Sequence, residues 1–198
     1  MGASAGVLSD WPTTKYLNFN RLATMNNVQT LSGYKGVTMT NRNFRPRYET
    51  ADTLAQEESF KSLFEQSFPE VELRKMPIQY RIDFAVLDKK EERIIGMVEY
   101  RTRRYTKRKM DELGGVKISL MKILTGIEMS EKMGIPVQVF FSFMDSPTGE
   151  FHRFLMTREN YDRCKTGWMN FKGRNDPQDC EPVVVIPVDV LDHKSLRY

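Results

Sequence analysis

The chain has 198 residues, 40% of them apolar, which suits one domain plus an appendage. Two cysteines and two histidines exclude a disulfide scaffold, a zinc finger and a His-rich metal cage. A mean hydropathy of −0.51 and the lack of any apolar run of about 18 residues exclude a helical membrane span. The opening MGASAGVLSDWPTTKY has neither the basic start nor the apolar stretch of a signal peptide, so a reducing cytoplasm is the expected location. The net charge of +4 is unevenly spread: residues 50–92 carry six Lys/Arg against ten acids, and residues 93–122 carry nine against three. Positive charge beside negative charge suits a surface that meets a polyanion while holding cations nearby.

Residues 1–49 follow neither a helical nor a strand period for long. They read as an irregular basic N-terminal arm, with short strands around Val28–Leu31 and Gly36–Met39, ending in RNFRPR (Arg42 to Arg47). Residues 50–198 read as the folded domain. A helix is expected from about Thr53 to Phe68, stopped by Pro69. Leu54, Phe60, Phe64 and Phe68 form its apolar stripe, Leu63 lies at the edge, Glu57 falls inside the stripe and Glu58 toward its border. Unless the helix frays and leaves Glu57 wet, that carboxylate needs a cation, a proton or another partner.

Two strands are expected next, Tyr80–Leu87 and Ile94–Thr102, joined by the polar turn Asp88–Arg93. In the first, Ile82, Phe84 and Val86 share a face; in the second, Ile95, Met97, Glu99 and Arg101 do. A hairpin centred on Glu91 sets Asp83 opposite Glu99 and Arg81 opposite Arg101. A helix from about Gly115 to Met133 follows, lined by Leu120, Met121, Leu124 and Ile127, with Lys117 in its first turn. That lysine either snorkels over its neighbours or meets an acid that offsets its unfavourable place in the helix dipole. Val137–Phe143 is an internal strand, DSPTGE (Asp145 to Glu150) a turn, and Phe151–Thr157 a strand with an exposed His152. In the tail, Lys172 and Arg174 precede Asp176 and Asp179, which suit the rim of a site or a turn cap. Val183–Val190 is a further strand, placed at a sheet margin by Pro182 and Pro187. Cys164 and Cys180 read as buried thiols. The order of elements describes an α/β (α+β) domain built around a central mixed β-sheet flanked by helices.

Carboxylates facing each other across strands repel unless positive charge lies between them. Asp83, Glu99 and Glu57 would give hard oxygen ligands to Mg²⁺, with Mn²⁺ as a substitute, and the Tyr100 carbonyl could complete the protein's share of the shell. Such an ion acidifies water and stabilises charge on phosphoryl oxygens. Arg101 could hold a nonbridging oxygen, and Lys117 could position water or neutralise developing charge.

The segments QEESF (Gln56 to Phe60), IDFAVLD (Ile82 to Asp88) and GMVEYRTR (Gly96 to Arg103) together resemble the PD-(D/E)XK nuclease superfamily, the restriction endonuclease-like fold shared with Holliday-junction resolvases. The resemblance spans residues 53–143. It implies Asp83 and Glu99 as the two motif acids, Glu57 or Glu58 as the first-helix acid, and Arg101 at the position of the motif lysine. Relatives that draw the basic group from the following helix make Lys117 the matching candidate. The resemblance also implies Mg²⁺-dependent cleavage of DNA.

RTRRYTKRK (Arg101 to Lys109) puts six basic side chains and one aromatic in nine residues. Arg103, Arg104, Lys107, Arg108 and Lys109 are the expected phosphate contacts, and Tyr105 could stack on an unpaired base. The leading expectation is therefore a Mg²⁺-dependent endonuclease that hydrolyses DNA phosphodiester bonds. The alternative is a catalytically inactive nuclease-fold protein that binds nucleic acid or serves in assembly. Length leaves open whether a homodimer places two cuts.

Overall fold

The computed structural model describes residues 50–77, 80–170 and 180–196. The arm, its expected strands and RNFRPR lie outside these residues, as do Lys172, Arg174, Asp176 and Asp179.

Helix α1 (Ala51–Ser67) starts at Thr50, whose hydroxyl accepts the amide of Thr53 at 3.2 Å while the Thr53 hydroxyl accepts the amide of Thr50 at 3.0 Å. This reciprocal cap satisfies two otherwise orphaned donors. Phe60, Leu63 and Phe64 are buried, and Glu57 is buried with them as the wheel requires; Leu54 is half-exposed. Strand β1 (Val71–Lys75), which the sequence reading missed, pairs antiparallel with β2 (Phe84–Asp88), and β2 pairs antiparallel with β3 (Arg93–Arg103).

The expected register holds at Phe84↔Val98, Ala85↔Met97 and Val86↔Gly96, before a bulge between Val86 and Leu87 shifts it by one. The strand begins four residues later than expected. Arg81 takes a left-handed backbone with φ 59°, so the alternation stops there. Ile82 packs in a different cluster from Phe84 and Val86, and Arg81 has no strand position opposite Arg101.

Residues 107–133 also depart from expectation. The basic stretch forms a short helix, α2 (Lys107–Glu112), capped by Thr106. Gly114 and Gly115, at φ 70° and 141°, then turn the chain into strand β4 (Val116–Ser119), and only at Leu120 does helix α3 (Leu120–Met133) begin. The reason is local. Val116 and Ile118 are buried on alternate positions, a period of two that belongs to a strand. Lys117 therefore sits exposed on β4, outside any helix. At Gly115 a Cβ would run into the Ile186 carbonyl.

Strand β5 (Val137–Phe143) pairs parallel with β3, and β6 (Glu150–Leu155) pairs antiparallel with β5. His152 on β6 is half-buried, because its ring packs against Phe143, where an exposed side chain was expected. The short helix α4 (Arg158–Asp162) leads to β7 (Lys165–Asn170), β8 (Cys180–Ile186) and β9 (Asp192–Ser195). Two sheets result. The larger is mixed, in the order β1-β2-β3-β5-β6-β9, and the smaller is antiparallel, in the order β4-β8-β7. Strand β8 is thus central where its prolines suggested a margin. Pairing with β4 covers only Val183 to Ile186, so Pro182 faces β7 alone and its missing donor costs no ladder bond on the other side.

The larger sheet separates two apolar clusters. Phe60, Phe64 and Phe68 pack on Leu73, Phe84, Val98, Tyr100 and Phe140 on the α1 face. On the other face Met97, Val139 and Phe141 meet Ile123 and Ile127 of α3 and Ile118, Val184 and Ile186 of the smaller sheet. Helix α3 approaches closely at Gly126, where a Cβ would collide with Met156 Sδ and stand 3.3 Å from Val137 Cγ1. This is the mixed sheet with flanking helices of the restriction endonuclease-like fold. Among the described residues no helix is long and apolar enough to cross a membrane.

Candidate active site

Alternation along β3 sorts the site residues between the two faces. Tyr100 and Thr102 point toward α1, where Tyr100 stacks on Phe60 with ring centroids 4.4 Å apart and the Thr102 hydroxyl bonds Gln56 Oε1 at 2.8 Å. Glu99 shares the opposite face with Met97 and is wholly buried. Two cations meet it: Arg101 pairs with Oε1, and Lys122 Nζ of α3 stands 2.6 Å from the same atom. Among the described residues neither Glu99 oxygen makes a hydrogen bond of standard geometry, so proximity of charge carries the pairing.

Burial pushes the Glu99 carboxyl above the ordinary range, opposed by Arg101 and Lys122 and reinforced by the nearby Asp83. For Arg101, burial works against the charge but is outweighed by Glu99 and Asp83, with a smaller contribution from Glu57, and the guanidinium is held above its usual value. All three expected acids therefore act on Arg101. They do not form one ligand set, and among the described residues no group of three acids, histidines or cysteines is placed to hold a metal ion. Glu57 lies on the α1 side and pairs with Lys75 at the end of β1. That is the partner its buried position demanded.

Asp83 lies just before β2, in line with Glu99 by the register of its neighbours, and its Oδ2 accepts the Tyr100 amide at 2.9 Å. Two carboxylates, one wholly buried and lacking directed hydrogen bonds, fit a small hard cation that keeps several of its waters. The Tyr100 carbonyl is the adjacent backbone oxygen.

Lys117 is not brought to Glu99. Its carbonyl accepts Arg103 Nη2, and its side chain is exposed. The lysine that reaches the acid is Lys122, which sequence reasoning missed because it started the helix too early. The strand-like Val116-Lys117-Ile118 and the cap-type Ser119 are the signals that would have moved the first turn to Leu120–Lys122. Lys122 also donates to the Arg81 carbonyl at 2.9 Å.

The basic stretch divides. Arg103 is tied inward over the Phe141 ring, 5.3 Å from its centroid, and burial lowers it to about 10. Tyr105 packs against Phe143, with centroids 5.7 Å apart. Lys107 is half-exposed near Glu150 at 3.9 Å, and its amide bonds Asp145. Arg104, Arg108 and Lys109 are exposed; the last two pair with Glu112 at 3.5 and 2.8 Å.

A mixed sheet with Glu99 on β3, Asp83 just ahead of the neighbouring β2 and cations gathered on Glu99 accords with the PD-(D/E)XK type of nuclease. Residues 43–193 match the family described as "Phage putative PDDEXK endonuclease", and the chain belongs to that family. No curated protein and no solved structure matches the chain.

Proposed function

We propose that the chain is a Mg²⁺-dependent endonuclease that hydrolyses DNA phosphodiester bonds, with Mn²⁺ able to replace Mg²⁺. The observation that carries this reading is the wholly buried Glu99 beside Asp83, balanced by Arg101 and Lys122. A buried carboxylate is costly to a fold unless paired, and this one takes up two cations at a position where a core residue would otherwise pack.

Asp83 and Glu99 would hold the metal, whose chemistry is to acidify water and to withdraw charge from phosphoryl oxygens. The rest falls to the chain's own side chains. Arg101 and Lys122 offer donors to nonbridging oxygens of the scissile phosphate, where negative charge grows as the water oxygen attacks phosphorus and the leaving oxygen departs. Lys122 suits orientation of the attacking water, since an arginine does not give up its proton. Glu57, held by Lys75, supports the α1 side and lends its field to Arg101. Arg104, Arg108 and Lys109 supply exposed charge for the nucleic-acid backbone.

Linear, branched and single-stranded DNAs incubated with Mg²⁺, Mn²⁺ and a chelator test the reading. Cleavage by the parent with either metal, lost with chelator and in Glu99→Gln while DNA affinity persists, is the expected result. Parent-rate cleavage by Glu99→Gln overturns the role of Glu99. Metal-indifferent binding without cleavage favours the alternative of a nuclease fold retained for binding or assembly, which the arginine at position 101 would suit.

A further inference from the structure

Arg81 stands two residues before Asp83 with a left-handed backbone at φ 59°, one of two such non-glycine residues among the described residues. A bulky L residue takes this conformation at a cost, so its surroundings must hold it there. An extension of β2 would keep its carbonyls in the plane of the sheet, as Asp83 does in accepting the Met76 amide at 2.8 Å. At Arg81 the chain leaves that plane. Ile82 joins the apolar cluster of Ile123 and Ile127, and the Arg81 carbonyl accepts Lys122 Nζ of α3 at 2.9 Å. That bond sets the direction of the ammonium. Glu99 Oε1 lies 2.6 Å from Nζ without hydrogen-bond geometry, so among the described residues the Arg81 carbonyl is the one acceptor to which Lys122 makes a directed bond. Attraction between charges draws Nζ close to Glu99, whereas a hydrogen bond aligns an N–H with its acceptor. The three N–H groups turn together about Cε–Nζ, so directing one at the carbonyl fixes the other two.

We propose that Arg81 is a positioning residue of the centre: its main-chain carbonyl, turned out of the sheet by the left-handed backbone, holds the Lys122 ammonium in the orientation that aligns the attacking water. The proposal rests on the nuclease reading and adds a residue that acts through its backbone and not through its charge. Arg81 is exposed, and the identity of its side chain matters through the φ it permits. Asparagine tolerates the left-handed region, whereas valine, branched at Cβ, is a true outlier there. Both remove the guanidinium, so a difference between them reports the backbone alone.

Arg81→Asn and Arg81→Val are each made in the parent and in Lys122→Met. For every protein kcat and KM are measured with Mg²⁺ on the DNA that the parent cleaves best, and the urea midpoint is measured in chelator. Arg81→Ala, unbranched but still disfavoured at this φ, replaces Arg81→Val if the latter does not fold. In the parent background the valine variant is expected to fall at least about tenfold below the asparagine variant in kcat, with KM within about threefold. In Lys122→Met the same kcat ratio is expected to shrink to within about twofold, because the residue through which Arg81 acts is gone. The gap in urea midpoint between the two variants should narrow there too, since without its donor the carbonyl no longer holds the backbone left-handed. Equal kcat for asparagine and valine, or one ratio in both backgrounds, overturns the proposal, and cleavage by the parent then leaves the nuclease reading standing. A parent that cleaves no DNA overturns the nuclease reading, and the midpoints then decide the link from Arg81 to Lys122: a narrowed gap upholds it and an unchanged gap overturns it.

Discussion

Lys122 Nζ lies 2.6 Å from Glu99 Oε1, three residues into a helix that begins one residue after a strand. Replacing it with methionine keeps the stem but leaves the buried carboxylate with Arg101 alone. Lys122→Met is expected to cost at least about 100-fold in single-turnover cleavage and about 2 kcal/mol of stability. Lys117→Met, which changes an exposed strand residue, is expected to stay within about threefold, as surface substitutions usually do. The opposite ranking in single-turnover assays and urea titrations would remove Lys122 from the centre.

The two glycines before β4 are expected to differ sharply. Gly114→Ala puts a side chain at φ 70° in open space, a conformational cost of about 1 kcal/mol. Gly115→Ala adds a Cβ that meets the Ile186 carbonyl at φ 141°, where both strain and collision act. A loss of about 3 kcal/mol or more is expected there. Urea unfolding of the pair checks it, and equal losses would contradict the close approach of β4 to β8.

Acid is expected to weaken the fold through His152. Burial lowers its imidazole below the ordinary 6.5, His193 and Lys107 lower it further, and Asp111 and Glu150 oppose them. A histidine depressed in the folded state binds its proton more readily when unfolded, so stability is lost as pH falls below about 6.5. His152 also stacks edge-on to Phe143, with centroids 5.3 Å apart, and its buried Nδ1 has no hydrogen-bond partner among the described residues. His152→Phe keeps an aromatic ring there and should flatten the decline in urea midpoint between neutral and mildly acidic buffer. Parallel declines in parent and variant would assign the acid sensitivity elsewhere.

Salt dependence should follow exposure. Changing Arg104, Arg108 and Lys109 together to glutamine is expected to reduce the slope of log affinity against log salt by about 2 to 3, slightly under one for each phosphate no longer neutralised. Arg103→Gln should leave that slope nearly unchanged and lower stability, because this guanidinium is buried against Phe141 and the Lys117 carbonyl. Fluorescence anisotropy over a salt series in chelator separates the two variants, and a comparable change of slope in both would contradict the inward placement of Arg103.

The features legible in the sequence were those set by period alone. The α1 stripe with Glu57 inside it, the Asp83–Glu99 register and the mostly apolar β5 each follow from where side chains must point in a regular element. Three things were hidden. Strand β1 has only five residues, three of them charged, and reads as loop. The smaller sheet joins β4 to a β8 far along the chain, so no local pattern announces that pairing. Lys122 required the boundary between β4 and α3 to be placed within a residue or two, and helix ends are where pattern is weakest. The partner of Glu57 was demanded by the cost of a buried charge, but its identity as Lys75 depended on the strand that had been missed.

Gly126 gives the fold's packing a say in its chemistry. Because no side chain stands between α3 and Met156, the helix axis rides low over the sheet, and that height fixes the reach from Lys122 down to Glu99. A single methyl at position 126 would have to push aside either Met156 or the helix itself, and any lift of the helix would draw the ammonium away from the carboxylate with no charged residue altered. An uncharged substitution one turn away could thus present in kinetics as a lesion of the centre itself.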